Sequence, residues 1–198
     1  MTEPSRPPLP AQPGPATTLA PGPSAPARFD ALTRWLHWIM ALLVTAALFT
    51  GIALTRWLSD YDVLSRVHQP LGAAVLVLAV VRLVNRLVRR TPPYPPAMPR
   101  AERLAATASE CALYALLLAQ PLAGWAMQSA AGIPVPLYGS AHLPALIGQD
   151  YGLYSTLHTV HEVLGYTLLG LFVAHVTGTL THTLVTRDKL LRRVSLRR

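Results

Sequence analysis

Four of the seven histidines in this chain, His37, His68, His161 and His175, lie within or at the edge of long apolar runs. A titratable side chain inside a membrane-spanning segment is costly and marks a functional position by default. His161 and His175 are 14 residues apart. At 100° per residue that step returns to within about 40° of the same helix face, roughly 21 Å further along the axis. One helix then presents two imidazoles at two depths of a bundle. His37 and His68 open two other apolar runs. If the runs alternate in direction, depth pairs His37 with His175 and His68 with His161. Two imidazoles on facing helices suit a planar macrocycle ligated axially from both sides. With both axial positions filled, iron has no open site for substrate, which favours electron transfer over oxygen chemistry. The expected cofactors are two b-type haems. A zinc site would cluster its ligands instead of dividing them into distant pairs.

Smaller residues follow the same spacing. Gly72 and Gly165 each stand four residues after a histidine, and Gly51 stands 14 after His37. A glycine one turn from a ligand leaves the helix surface flat where a porphyrin edge would lie. Small residues also serve membrane-helix packing, and the sequence leaves both explanations open. Arg82, 14 residues after His68, and Arg34, one turn before His37, are candidates for the anionic propionates of one haem; Arg66 and Arg56 are candidates for the other. They read equally as anchors of membrane topology. His142, His158 and His182 fall off the shared face or outside the haem zone and read as interfacial, His158 being the strongest exception.

These positions require four helices. The apolar runs Trp35–Leu54, His68–Val88, Leu104–Gln128 and Leu157–Val185 are each long enough for about 30 Å of hydrocarbon. The second is short unless Arg82 and Arg86 snorkel to the lipid surface. Of the 198 residues 52% are hydrophobic and 13% are charged, about half the charge of an ordinary soluble domain. The net charge of +8 does not indicate nucleic acid, because the cations sit beside the apolar runs. Arg86, Arg89, Arg90, Arg100 and Arg103 follow the second run, and six cations crowd the C-terminus, whereas Ser129–Thr156 has no Lys or Arg. By the positive-inside rule both termini are cytoplasmic. The fold class is therefore all-α, an integral membrane four-helix bundle over residues 28–188. A proline-rich tail of residues 1–27 reads as disordered and unlike a signal peptide, and residues 189–198 read as a basic cytoplasmic tail. One cysteine, Cys111, excludes an intrachain disulfide and Cys-x-x-Cys-His haem attachment.

The chain resembles the bacterial dihaem cytochrome b561 family, relatives of which include the cytochrome b subunits of hydrogenases and formate dehydrogenases. The segments that carry the likeness are Arg34-Trp-Leu-His-Trp, His68-Gln-Pro-Leu-Gly, Val81-Arg-Leu-Val-Asn-Arg-Leu, Leu113-Tyr, Gln120-Pro-Leu-Ala-Gly, and His161-Glu through His175. The resemblance implies ligands at His37, His68, His161 and His175, residence in the bacterial inner membrane, and electron exchange with ubiquinone. Some members are similar to a superoxide oxidase, which would make superoxide a periplasmic donor. His158 and Glu162 are the polar groups placed to hydrogen-bond a quinone carbonyl and handle its protons. Two other readings stand beside this one: a haem-bearing anchor for a dehydrogenase or hydrogenase, and a transporter or channel using a histidine relay. Besides membrane lipid, the partners expected are quinone and superoxide or a periplasmic redox protein; a homo-oligomer is compatible with the sequence.

Overall fold

The computed structural model describes residues 28–89, 93–94, 98–186 and 190–196. The tail of residues 1–27 lies outside the described residues. Four helices dominate: α1 (Ala31–Arg56), α2 (Tyr61–Val88), α3 (Arg100–Ala131) and α4 (Tyr151–Thr181). Each begins before the apolar run that predicted it. Asp30 caps α1 by accepting from the Thr33 amide at 2.6 Å, and Asp150 caps α4 by accepting from Leu153 at 3.0 Å. Helix α3 ends at Gly132, whose φ of 73° is the left-handed conformation in which a side chain is strained.

Between α3 and α4 the chain forms an antiparallel hairpin, β1 (Val135–Tyr138) and β2 (Ala141–Leu143), with Val135 opposite Leu143. Strands this short carry no alternation strong enough to announce them. The bundle thus has a hairpin end and a terminal end, the latter holding the start of α1, the end of α4 and the loop between α2 and α3. After α4 a π-helical turn, His182–Thr186, leads to a 3₁₀ turn, Leu190–Arg193. That turn folds back over α1: the Phe29 amide donates to the Arg193 carbonyl and the Trp38 indole to the Val194 carbonyl.

Helices α1 and α2 pack along each other, as do α3 and α4, and α2 joins the two pairs through α3. Helix α4 hardly touches α1 or α2. Among the described residues one buried apolar cluster, Met40, Val44, Val75, Ala79, Leu117 and Leu168, sits midway along the bundle. Much of the remaining apolar surface faces outward, including Leu42, Phe49, Leu87 and Val163. That inverted pattern suits lipid, and α1, α2 and α4 are each long and apolar enough to cross a membrane. Helix α3, with 32 residues, has the length, but Tyr114, Gln120, Pro121 and Gln128 make it more polar.

The arginines of α2 depart from expectation. Instead of snorkelling to the lipid surface, Arg82 donates to the Tyr114 hydroxyl at 3.2 Å and Arg86 grips Glu110 at 2.7 and 3.3 Å, both across to α3. A charge near hydrocarbon is cheaper when paired inside the protein.

At the terminal end Asp30 also pairs with Arg89 at 3.1 Å, joining the start of α1 to the end of α2. The Thr33 amide, helped by Arg89, holds the Asp30 carboxyl below the ordinary aspartate value of 3.8. Asp30→Ala should cost about 1 kcal/mol in detergent, read as a lowered melting temperature. Asp30→Asn keeps a capping oxygen and loses only a half-exposed ion pair, so it should cost less. A depressed pKa contributes stability above its unfolded value, here 3.8, that is lost as pH falls through the folded value. The gap between wild type and Asp30→Asn should therefore close below that pH. A gap that persists there would show that the carboxylate charge is not its source.

Candidate functional site

At the hairpin end the rings of His68 on α2 and His161 on α4 face each other, centres 6.2 Å apart and planes at 86°. At the terminal end His37 on α1 and His175 on α4 stand 6.4 Å apart with planes at 62°. The separation has a simple meaning. A metal midway between two imidazoles, at about 2 Å per bond and with each ring nitrogen roughly 1.2 Å from its ring centre, puts the centres about 6.4 Å apart. Both pairs match that figure. Helix α4 comes opposite the first two helices at these pairs and, midway, at Leu168 in the buried apolar cluster. The donor set and its spacing fit a six-coordinate haem iron at each level.

The hairpin-end rings are each seated in a neighbouring helix. The Nδ1 of His161 lies 3.0 Å from the Gln120 carbonyl oxygen, and that of His68 lies 3.1 Å from the Thr50 hydroxyl. A glycine makes room beside each. A Cβ on Gly124 would fall 2.8 Å from Cε1 of His161, and one on Gly51 would fall 3.2 Å from Cε1 of His68. The Gln120 side chain lies across the same site, its Nε2 3.3 Å from Nε2 of His161 and its Oε1 buried without a partner. Ligation through Nε2 requires that amide to turn away. The space beside Gly165 is filled by this same amide, 3.1 Å from where a Cβ would stand, whereas nothing lies within 4 Å of that point at Gly72.

The terminal-end pair has no such ring-nitrogen partner among the described residues. It borders a cavity of about 290 Å³ lined by His37, Arg82, Asn85, Glu110 and Tyr114 together with the paired Arg86–Glu110 and Asp30–Arg89 charges. Arg28 and Val194, from the two chain ends, also reach it. Arg34 does not line it; its guanidinium donates to the Phe29 carbonyl at 2.8 Å. Arg66 is exposed near the start of α2. His158 and Glu162 are exposed one turn apart on α4, with the Tyr154 ring 6.0 Å from that of His158. His142 is exposed on β2, and His182 caps α4. Sequence reasoning missed Thr50, Gly124, Glu110 and Tyr114. Gly124 and Gln120 lay in a segment noticed for its resemblance, but nothing local said that a histidine 41 residues away would rest on it.

The profile of the prokaryotic cytochrome b561 family matches residues 28–195. Cytochrome b561 homolog 2 of Escherichia coli K12 is 25% identical over 174 residues, covering 86% of this chain and 93% of that protein. Homolog 1 of the same organism is 28% identical over 178 residues, covering 86% and 98%. A probable superoxide oxidase, CybB, of Yersinia pestis is 27% identical over 172 residues, covering 84% and 95%.

The glycine seats can be tested by haem content. Gly124→Ala must displace the His161 ring from a bonded position, at a cost of about 1–3 kcal/mol typical of overpacking, and should lower haem per chain. Gly51→Ala should do so less, and Gly170→Ala, with open space at that point, not at all. Equal haem content in all three, measured by pyridine haemochrome against protein concentration, would refute the seating.

Proposed function

The chain belongs to the prokaryotic cytochrome b561 family and is a membrane haem protein of electron transport, and from that premise we propose that it holds two b-type haems and passes electrons between ubiquinone and a one-electron periplasmic partner, superoxide foremost. The observation that carries the dihaem reading is the pair of facing imidazoles at each of two depths. His37 and His175 would hold one haem, and His68 and His161 the other. A haem held by two histidines supplies one-electron transfer without binding a substrate at iron. All four helices span the bacterial inner membrane with both termini in the cytoplasm, following the arginine asymmetry. The hairpin end is then periplasmic. Arg82, beside the cavity at His37, is the propionate cation of the inner haem; Arg34, folded onto Phe29, is a weaker candidate, and Arg66 serves the outer one.

The reaction balances with two superoxide anions, each losing one electron and leaving as dioxygen, and one ubiquinone taking two electrons and two protons to give ubiquinol. His158 and Glu162, exposed together on α4, hydrogen-bond a quinone carbonyl and carry its protons. Exposed charge at the hairpin end comes to Arg56 and Arg66 against Asp60, Asp62 and Asp150, so no strong positive field draws an anion there.

Three outcomes are expected. Reporters at Gly148 should read as periplasmic and at Tyr94 as cytoplasmic; the reverse at either position would overturn the orientation. In stopped flow, superoxide should reduce the oxidised protein and form ubiquinol faster than superoxide dismutes, with the reaction lost in His161→Ala. If superoxide and quinol both fail while a co-purified dehydrogenase reduces the haems, the chain is an anchor subunit. The superoxide rate should change by less than about threefold between roughly 10 and 200 mM salt, since steering is absent. A steep fall with salt would point to a basic docking surface that the charge distribution does not provide.

A further inference from the structure

The two histidine pairs differ in what their second ring nitrogens meet. The Thr50 hydroxyl has a single proton, and its geometry gives that proton to the Ala46 and Ala47 carbonyls at 2.8 and 3.1 Å. What it offers His68 Nδ1 is therefore a lone pair, so Nδ1 is the protonated nitrogen. On the other side the Gln120 carbonyl can only accept, so Nδ1 of His161 is also protonated. The Nε2 lone pair of His68 is left for a metal, and that of His161 is freed once the Gln120 amide turns away. A ring N–H given to an oxygen makes the opposite nitrogen a more basic ligand. A more basic ligand favours the ferric over the ferrous state. At the terminal end neither His37 nor His175 has an equivalent acceptor among the described residues, and Arg82 lines the cavity beside His37. A nearby cation disfavours the more positive, ferric state.

We infer that Thr50 and the Gln120 backbone are positioning groups for the outer haem, fixing the ligating tautomers of His68 and His161 and setting that haem lower in reduction potential than the inner one. The gradient favours an electron on the inner haem over one on the outer haem. This rests on the dihaem reading above and adds a direction to it. Thr50 acts through His68 and touches no substrate. The seat at Gly51 serves the same bond, because only close approach of the ring to α1 brings Nδ1 to the hydroxyl of the adjacent residue.

The test is a spectroelectrochemical titration of the full-length protein with both haems bound, with electron paramagnetic resonance of the oxidised form to distinguish the two low-spin centres. Wild type should titrate in two components. Thr50→Val, which keeps the shape and loses the acceptor, should raise the lower component and change the resonance of one centre only. Thr50→Ser, which restores the hydroxyl, should return both to wild type. Arg82→Gln should lower the upper component and leave the lower one in place, an arm that stands even if Thr50→Val fails to retain its haem. The inference is overturned if Thr50→Val moves neither component or moves the upper one, if Thr50→Ser behaves as Thr50→Val, or if Arg82→Gln shifts the lower component. A wild-type protein that binds no haem would instead sink the dihaem reading beneath it, so the two failures are distinct.

Discussion

An imidazole buried in an apolar bundle must satisfy two nitrogens that point in opposite directions. A helix cannot do this alone, because its own backbone groups are committed to each other. At the hairpin end the solution is a division of labour among helices. Helices α2 and α4 supply the rings, and α1 and α3 supply oxygens for Nδ1. The glycines at 51 and 124 follow from that requirement, since a ring can reach an oxygen near a helix axis only where no Cβ intervenes. The spread between α4 and the first two helices follows as well, for the rings occupy ground that side-chain packing would otherwise close.

The terminal end solves a different problem, that of charge. Arg82 and Arg86 lie one turn apart on α2, inside a segment otherwise fit for hydrocarbon. Tyr114 and Glu110 stand one turn apart on α3 and meet them in register. Asp30 with Arg89, and the C-terminal turn folded onto Phe29 and Trp38, close the remaining edge with further polar contacts. Breaking one partner of such a set leaves a charge stranded near lipid, which costs more than the pair contributes. Polarity is thereby concentrated beside one histidine pair and kept from the other.

How much of this the sequence carried depends on whether a feature is periodic along one helix or arises between two. The spacing of His161 and His175, and the depth matching of His37 and His68, are properties of single helices with known rise, so the ring pairs could be anticipated. The seating of His161 on Gln120 and Gly124 depends on the rotation of α4 against α3, which nothing in either segment states. The Arg86–Glu110 pair was hidden for the same reason. Helix starts were read late because polar turns at a membrane surface continue a helix without an apolar signal. The hairpin of β1 and β2 escaped because seven strand residues, with Pro136 among them, carry no alternation to read.

One interval links the two ends. His37 and Gly51, His68 and Arg82, Glu110 and Gly124, and His161 and His175 are each 14 residues apart, one such pair on every helix. Because neighbouring helices run in opposite directions, His37, Arg82, Glu110 and His175 fall in the terminal layer, and Gly51, His68, Gly124 and His161 in the hairpin layer. The midpoint of each interval is Val44, Val75, Leu117 or Leu168, and all four belong to the single buried apolar cluster. Seven residues advance a helix by about two turns less 20°, so the site, the midpoint and the second site share one inward stripe. Helices with a seven-residue stripe pack at the shallow crossing angle of a four-helix bundle, which keeps all three layers in register over its length. The apolar middle layer thus does more than stabilise. It fixes the distance between the two histidine pairs and excludes water from the space between them, so the separation an electron must cross is set by the same residues that hold the helices together.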